Sequence, residues 1–197
     1  IKCIWGYMGE NVRKVELIGD DIDSLCKLLY NIEIEHLHLT FVDLSDEQVT
    51  TLLEFVERRK VSHLTLSVST VTASDPVCVL YDLASRVSAL HIHQTQCELD
   101  GKSPYLFGLH NANWESIVLE MFSRKLDKLR ITNLAFPNYL PAARAEGLTE
   151  NLPKLERRVW FEAIGCSADL KAPDISQDDY QITIYVARGR RTFSIKH

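Results

Sequence analysis

The chain has 197 residues, of which 46% are apolar and 25% charged, a balance typical of an ordinary globular domain with one sizeable core. Its net charge of −5 argues against general electrostatic binding of nucleic acid or anionic lipid. The longest apolar runs, such as "VCVLY" at 77–81, are too short to span a bilayer, which needs about 20 residues. We therefore expect neither nucleic acid nor a membrane as partner.

Short strands alternate with helices along most of the chain. Period-2 alternation of apolar residues predicts strands, and 3.6-residue periodicity predicts helices. Strands are predicted at 13–19, 34–41, 62–68, 88–94, 126–134 and 155–164, with helices at 20–32, 44–60, 76–86, 114–125 and near 140–152. The chain is predicted to end in two strands joined by a tight turn at 187–190, in which Gly189 supplies positive φ.

Two of these helices have clear start signals. Ser45 is predicted to be the N-cap of the 44–60 helix, with Gln48 three residues later in a capping box. Asp75 is the predicted N-cap of the 76–86 helix, and Pro76 occupies its first position.

The strands share a repeated pair of apolar residues. Aligned on that pair, the units follow one another at spacings of 22, 27, 26 and 39 residues, with a further unit starting near Leu155. Strand–helix units of about 20–29 residues are the period of leucine-rich-repeat solenoids, in which a parallel sheet lines one face and helices the other. The usual asparagine after the pair is absent, since Val42, Ser69 and Thr95 stand there. A compact α/β fold with a parallel sheet is the alternative. The apolar pairs are Val15/Leu17, Leu37/Leu39, Leu64/Leu66, Leu90/Ile92 and Leu129/Ile131.

This alignment predicts a single α/β domain over 1–197. Its leucine-rich-repeat-like units run from about 13 to 153, and a C-terminal strand and β-hairpin cap it from about 154 to 197.

The residues between the apolar pairs fall into three columns on the opposite face of the sheet, which we expect to be exposed. Five of the chain's seven histidines lie there, together with Arg130. We interpret this face as a partner surface, since that face of a solenoid commonly binds partners. The columns are His36–His63–Ala89–Lys128, Glu16–His38–Thr65–His91–Arg130 and Ile18–Thr40–Ser67–His93–Thr132.

The histidines also raise the question of a metal site. "HLH" at 36–38 and "HIH" at 91–93 place two imidazoles on one face, about 7 Å apart at Cα. The strand of His63 separates the two pairs, no cysteine falls in the columns, and Glu16 is their only carboxylate. We therefore predict neither a metal nor another cofactor, and a metal-dependent enzyme using the histidine face remains the least favoured alternative.

Catalytic and redox signals are weak elsewhere. The sequence contains no G-x-S-x-G, H-E-x-x-H, P-loop or G-x-G-x-x-G motif, so we predict no catalytic residue.

Five widely spaced cysteines without a CxxC favour reduced, mostly buried thiols in a cytoplasmic or nuclear protein. The insertion 96–112 carries Tyr105 and Phe107, which we predict to be partner-contacting residues on one rim.

Two stretches resemble a known family. "VDLSDEQVTTLLEFVERRKVSHLTL" (42–66) is similar to the repeat unit of the C-terminal F-box-associated domains of the large nematode F-box families. That unit consists of a strand, the motif L-[ST]-x-[ED]-[DE], a helix and the next strand. The C-terminal stretch "DYQITIYVARGRRTFSIKH" resembles the C-terminal hairpin of those domains. The matching residues are Leu44, Ser45, Glu47, Leu53 and Phe55, then Tyr185, Gly189, Arg190, Thr192 and Ile195.

The resemblance implies the substrate-recognition part of an F-box protein. Any F-box would lie upstream of Ile1 and would dock on a Skp-type adaptor of a cullin–RING ubiquitin ligase, while this domain would hold the target protein. A stand-alone regulatory or scaffold protein of the same fold, without a ligase link, is the second interpretation.

Overall fold

The structure, a computed structural model, describes residues 2–6, 14–18, 22, 24, 27, 34–94, 114–137, 148, 150–155, 158–168, 179–187 and 190–196. Nine strands in these ranges form one sheet whose order follows the chain from β1 to β9. The strands are Lys2–Gly6 (β1), Lys14–Ile18 (β2), His36–Leu44 (β3), His63–Val71 (β4), Ala89–Gln94 (β5), Lys128–Pro137 (β6), Val159–Ala168 (β7), Asp179–Ala187 (β8) and Arg190–Lys196 (β9).

The central part of the sheet is parallel. Each strand from β2 to β6 pairs in parallel with the next. By contrast, β1 joins β2, and β8 joins both β7 and β9, in antiparallel fashion. Helices connect the parallel strands, which is how parallel neighbours are normally joined. They are Asp46–Arg59 (α1), Pro76–Arg86 (α2) and Trp114–Ser123 (α3), with a 3-10 turn at Leu152–Leu155 before β7. The predicted α/β class is therefore confirmed.

The predicted helix caps are present. Ser45 accepts a hydrogen bond from the backbone N–H of Gln48 at 3.3 Å, and Asp75 accepts from Val77 and Cys78 at 3.1 and 3.0 Å. These bonds satisfy N–H groups that have no partner within the helix. Lys60 ends α1 with φ 55°, and its N–H bonds back to the last turn.

Among the described residues, one hydrophobic core lies between the sheet and the helices. The predicted apolar pairs of β3 to β6 are at most 3% exposed, and they share one cluster with α1, α2 and α3. Phe122 of α3 meets Phe161 of β7 edge to face, with ring centroids 6.5 Å apart. Burial of this kind contributes about 25 cal/mol per Å² of apolar surface. The helix residues at the centre of the cluster include Leu52, Val56, Leu80, Leu83, Val118 and Phe122.

A hydrogen-bond ladder recurs where successive strands begin. The carbonyl of Glu35 accepts from Ser62 and His63, that of Ser62 accepts from Ser88 and Ala89, and that of Ser88 accepts from Asp127 and Lys128, all at 2.8–3.1 Å. The hydroxyls of Ser62 and Ser88 add a third contact to the carbonyls of Glu35 and Ser62, respectively. The apolar residue before each of these positions is at most 1% exposed, as seen at Ile34, Val61, Val87 and Leu126.

Two sequence-based predictions about the strands need correction. The last unit is anchored by Phe161 and Ala163, which pair with Leu129 and Ile131, whereas Leu155 lies in the 3-10 turn. Strand β1 was not predicted at all. It pairs antiparallel with β2 at the edge of the sheet and is not part of a strand–helix unit, so the repeat spacing could not predict it.

Other predictions fall partly outside the described residues. Positions 22, 24 and 27 of the predicted first helix are helical, as are 148, 150 and 151 near the predicted 140–152 segment. The insertion 96–112 and the turn residues 188–189 lie outside the described residues, so the tight C-terminal turn stays a prediction.

Candidate functional site

The structure gathers the predicted histidines on one face of the sheet, opposite the helices. The predicted columns are confirmed by the strand register, which pairs His36 with His63, Thr65 with His91, and His93 with Thr132. The same register adds Trp160 and Glu162 of β7 to the first two columns. We call this surface the histidine face and define it by His36, His38, His63, Thr65, His91, His93, Lys128, Arg130, Thr132, Trp160 and Glu162.

The histidine face is more buried than expected. The predicted columns were expected to be exposed, but Ser67 and Ala89 are buried and the histidines are half-buried. Glu162, which the register adds to the face, is buried as well. Neighbouring strands lie about 4.8 Å apart, so bulky imidazoles shield one another and cover the small residues between them. Lys128 remains exposed.

The first column begins with two stacked imidazoles. The ring centroids of His36 and His63 are 4.1 Å apart, with 23° between their planes. The Nδ1 atom of His63 lies 2.8 Å from the Ser62 hydroxyl, and Nε2 of His36 lies 3.8 Å from a Glu35 carboxylate oxygen. Burial lowers the pKa of His63, and the neighbouring His36 lowers it further. His63 is therefore mostly neutral at pH 7.

The second and third columns meet at Thr132. Its hydroxyl lies 3.2 Å from Nε2 of His91 and 2.7 Å from Nδ1 of His93. Burial lowers the pKa of His91 from 6.5 to about 4, assisted by the positive charge of Arg130. His91 is thus an uncharged hydrogen-bonding group at neutral pH.

Charged and aromatic side chains close the side of the face on β6 and β7. Nε of Arg130 lies 2.9 Å from Oε2 of Glu162 in an ion pair that is largely shielded on the Glu162 side. The ammonium of Lys128 lies 4.4 Å above the centre of the Trp160 ring, a cation–π contact. Anchoring the last repeat at Phe161 instead of Leu155 would have revealed Trp160 and Glu162 from sequence.

The structure also assembles a cluster that the sequence did not indicate. One nitrogen each from His36 and His63 and one carboxylate oxygen of Glu35 all lie within 4.8 Å of one another. Glu35 precedes β3 and so belongs to no column. Neither the "HLH" pair nor the "HIH" pair contributes both of its histidines to this cluster.

Nothing in the described geometry indicates an activated cysteine at Cys78. This residue, expected to be buried, is exposed in the first turn of α2. Its hydrogen bond to Asp75 raises the pKa of its thiol, so the thiolate that would act as nucleophile is disfavoured.

A cavity of about 580 Å³ lies between the C-terminal ends of α1 and α2, and Ser62 and Ser88 of the hydrogen-bond ladder are among its lining residues. Two of its basic residues already have partners, since Arg86 lies 3.5 Å from Glu57 and Lys125 donates to the Arg86 carbonyl at 3.0 Å. We regard the histidine face as the stronger candidate site, since it presents more side chains that can bind a partner.

Two predicted site residues, Tyr105 and Phe107, lie outside the described residues. None of the described helices is long and apolar enough to cross a membrane. No family model, no curated protein and no solved structure matches the chain.

Proposed function

We propose that the chain is a non-enzymatic protein-binding domain that holds its partner on the histidine face. The supporting observation is a continuous surface of half-buried imidazole, hydroxyl and charged groups, opposite a face fully covered by the core. Aromatic and arginine side chains are enriched where proteins bind one another. Trp160 and Arg130 supply both at one side of this surface.

We further propose that the domain is a leucine-rich-repeat-like solenoid closed by its C-terminal strands. The strand order follows the chain, and the ladder positions Glu35, Ser62 and Ser88 recur after 27 and 26 residues. Repeated contacts between consecutive units are the basis of solenoid stability.

The most specific form of the proposal is the substrate-recognition part of an F-box protein. It rests on the resemblance of 42–66 and of the C-terminal stretch to F-box-associated domains. The Skp-type adaptor would bind an F-box elsewhere in the protein, and the histidine face would hold the target. A stand-alone regulatory or scaffold protein would use the same face without the ligase.

Affinity purification of the full-length protein, followed by mass spectrometry, tests this assignment. Recovery of a Skp-type adaptor and a cullin together with other proteins is the expected result. Recovery of protein partners without adaptor or cullin would contradict the ligase link and favour the stand-alone interpretation.

A further inference from the structure

We propose that Glu35, His36 and His63 form a binding site for Zn²⁺ at the start of strands β3 and β4. The histidines are direct partners across the two strands, and Glu35 immediately precedes the first of them. This inference does not depend on the identity of any protein partner.

The donor atoms are near enough to converge on one ion once the side chains rotate. All three lie within 4.8 Å of one another, and the His36–Glu35 pair is 3.8 Å apart. Bonds of about 2.1 Å at tetrahedral angles place donor atoms about 3.4 Å apart. An imidazole binds a metal in the plane of its ring, so His36 must turn out of its stack with His63 to bind the same ion. About half of the His36 and Glu35 side chains is exposed, which leaves both room to rotate.

Ser62 is placed to orient His63. Its hydroxyl lies 2.8 Å from Nδ1 of His63 and 3.1 Å from the carbonyl of Glu35, to which it can donate its one hydrogen. In that arrangement the hydroxyl oxygen accepts from an Nδ1–H group, and the lone pair is on Nε2. A hydrogen bond to the other ring nitrogen is the usual way in which proteins orient a metal-binding histidine.

The donor set selects the kind of metal. Two imidazoles and one carboxylate suit Zn²⁺, whereas Mg²⁺ and Ca²⁺ prefer oxygen ligands alone. Three protein ligands leave one tetrahedral position for solvent.

Calorimetric titration of the untagged protein with Zn²⁺ at pH 7.5 tests the site. We expect one ion per chain, with binding weakened at least about tenfold in His36→Asn and in His63→Asn, because each removes a ligand. Ser62→Ala should weaken binding by about tenfold or more through loss of the orienting bond. His93→Asn, on the same face but outside the cluster, is the matched control and should change the affinity less than about twofold.

Three results would overturn the proposal: no saturable binding, binding by His63→Asn equal to that of the unchanged protein, or equal weakening by His93→Asn and His63→Asn. Circular dichroism of each variant checks its fold. If His63→Asn does not fold, Glu35→Gln replaces it as the test variant. Glu35 is exposed, so its substitution removes a ligand without disturbing the core. Unchanged Zn²⁺ affinity in Glu35→Gln and His36→Asn together would then refute the site.

Discussion

Acid should destabilise the protein through His91. The environment of this ring includes His38, His93, Lys128 and Arg130, and burial together with these neighbours lowers its pKa from 6.5 to about 4. The unfolded chain therefore binds a proton on His91 at a higher pH than the folded chain does. Stability from this group is complete above pH 6.5 and is lost as the pH falls from 6.5 toward 4.

The size of the effect follows from the two pKa values. Each pH unit in that window is worth about 1.4 kcal/mol, so the loss between pH 7.5 and pH 5 has an upper limit of about 2 kcal/mol. His91 is half-buried, and solvent screens part of the interaction. We therefore expect His91 to account for about 1 kcal/mol of the free energy of unfolding lost over this range.

Urea denaturation at pH 7.5 and at pH 5 measures the loss, with His91→Gln as the reference variant. Glutamine retains a polar group near Thr132 but does not titrate, so the difference between the two proteins isolates His91 from other titrating groups. Nuclear magnetic resonance can follow the ring protons of His91 directly through the same pH range. A His91 pKa at or above 6.5, or an identical pH dependence in both proteins, would show that the ring is not held neutral by burial.

The remaining predictions concern the core, an ion pair and a helix cap. Leu66→Ala should lower the free energy of unfolding by about 2–5 kcal/mol. Thr65→Ala, one residue away on the histidine face, should change it by about 0.5 kcal/mol or less. If urea denaturation gives the larger loss for Thr65→Ala, the strand register is wrong. Arg130→Met should lower the free energy of unfolding by about 1–2 kcal/mol, because it removes the guanidinium that pairs with the Glu162 carboxylate. Adding Glu162→Met should recover part of that loss in a double-mutant cycle. If no stability is recovered, the pairing is contradicted. Asp75→Ala should lower the thermal midpoint through loss of the α2 cap, and an unchanged midpoint would argue against that cap.

The strand register was predictable because each repeat carries two apolar residues separated by one. A slip of one residue would turn every side chain to the other face, so the Leu37/Leu39 and Leu64/Leu66 pairs constrain the alignment strongly. The same rule failed near Leu155, where Leu155 and Phe161 both offer an apolar anchor and only the packing of Phe161 against Phe122 distinguishes them.

The candidate site was less predictable than the fold. Periodicity assigns a residue to a face but does not say how closely its neighbours shield it, so the burial of Ser67 was not anticipated. The predicted strand 34–41 included Glu35, and alternation placed it on the face of Leu37, opposite the histidines. Strand β3 begins only at His36, so the approach of Glu35 to His36 and His63 required the structure.

The central claim is that the histidine face holds a protein partner, and co-purification with a matched pair of variants tests it most directly. His38→Glu/Thr65→Glu places two carboxylates on the face, and Thr50→Glu/Thr72→Glu places two at exposed positions outside it. Quantitative mass spectrometry of proteins recovered with each full-length variant gives the comparison, after circular dichroism has shown that both fold. We expect partners to be lost from the first variant and retained by the second. Equal recovery from both variants would contradict it.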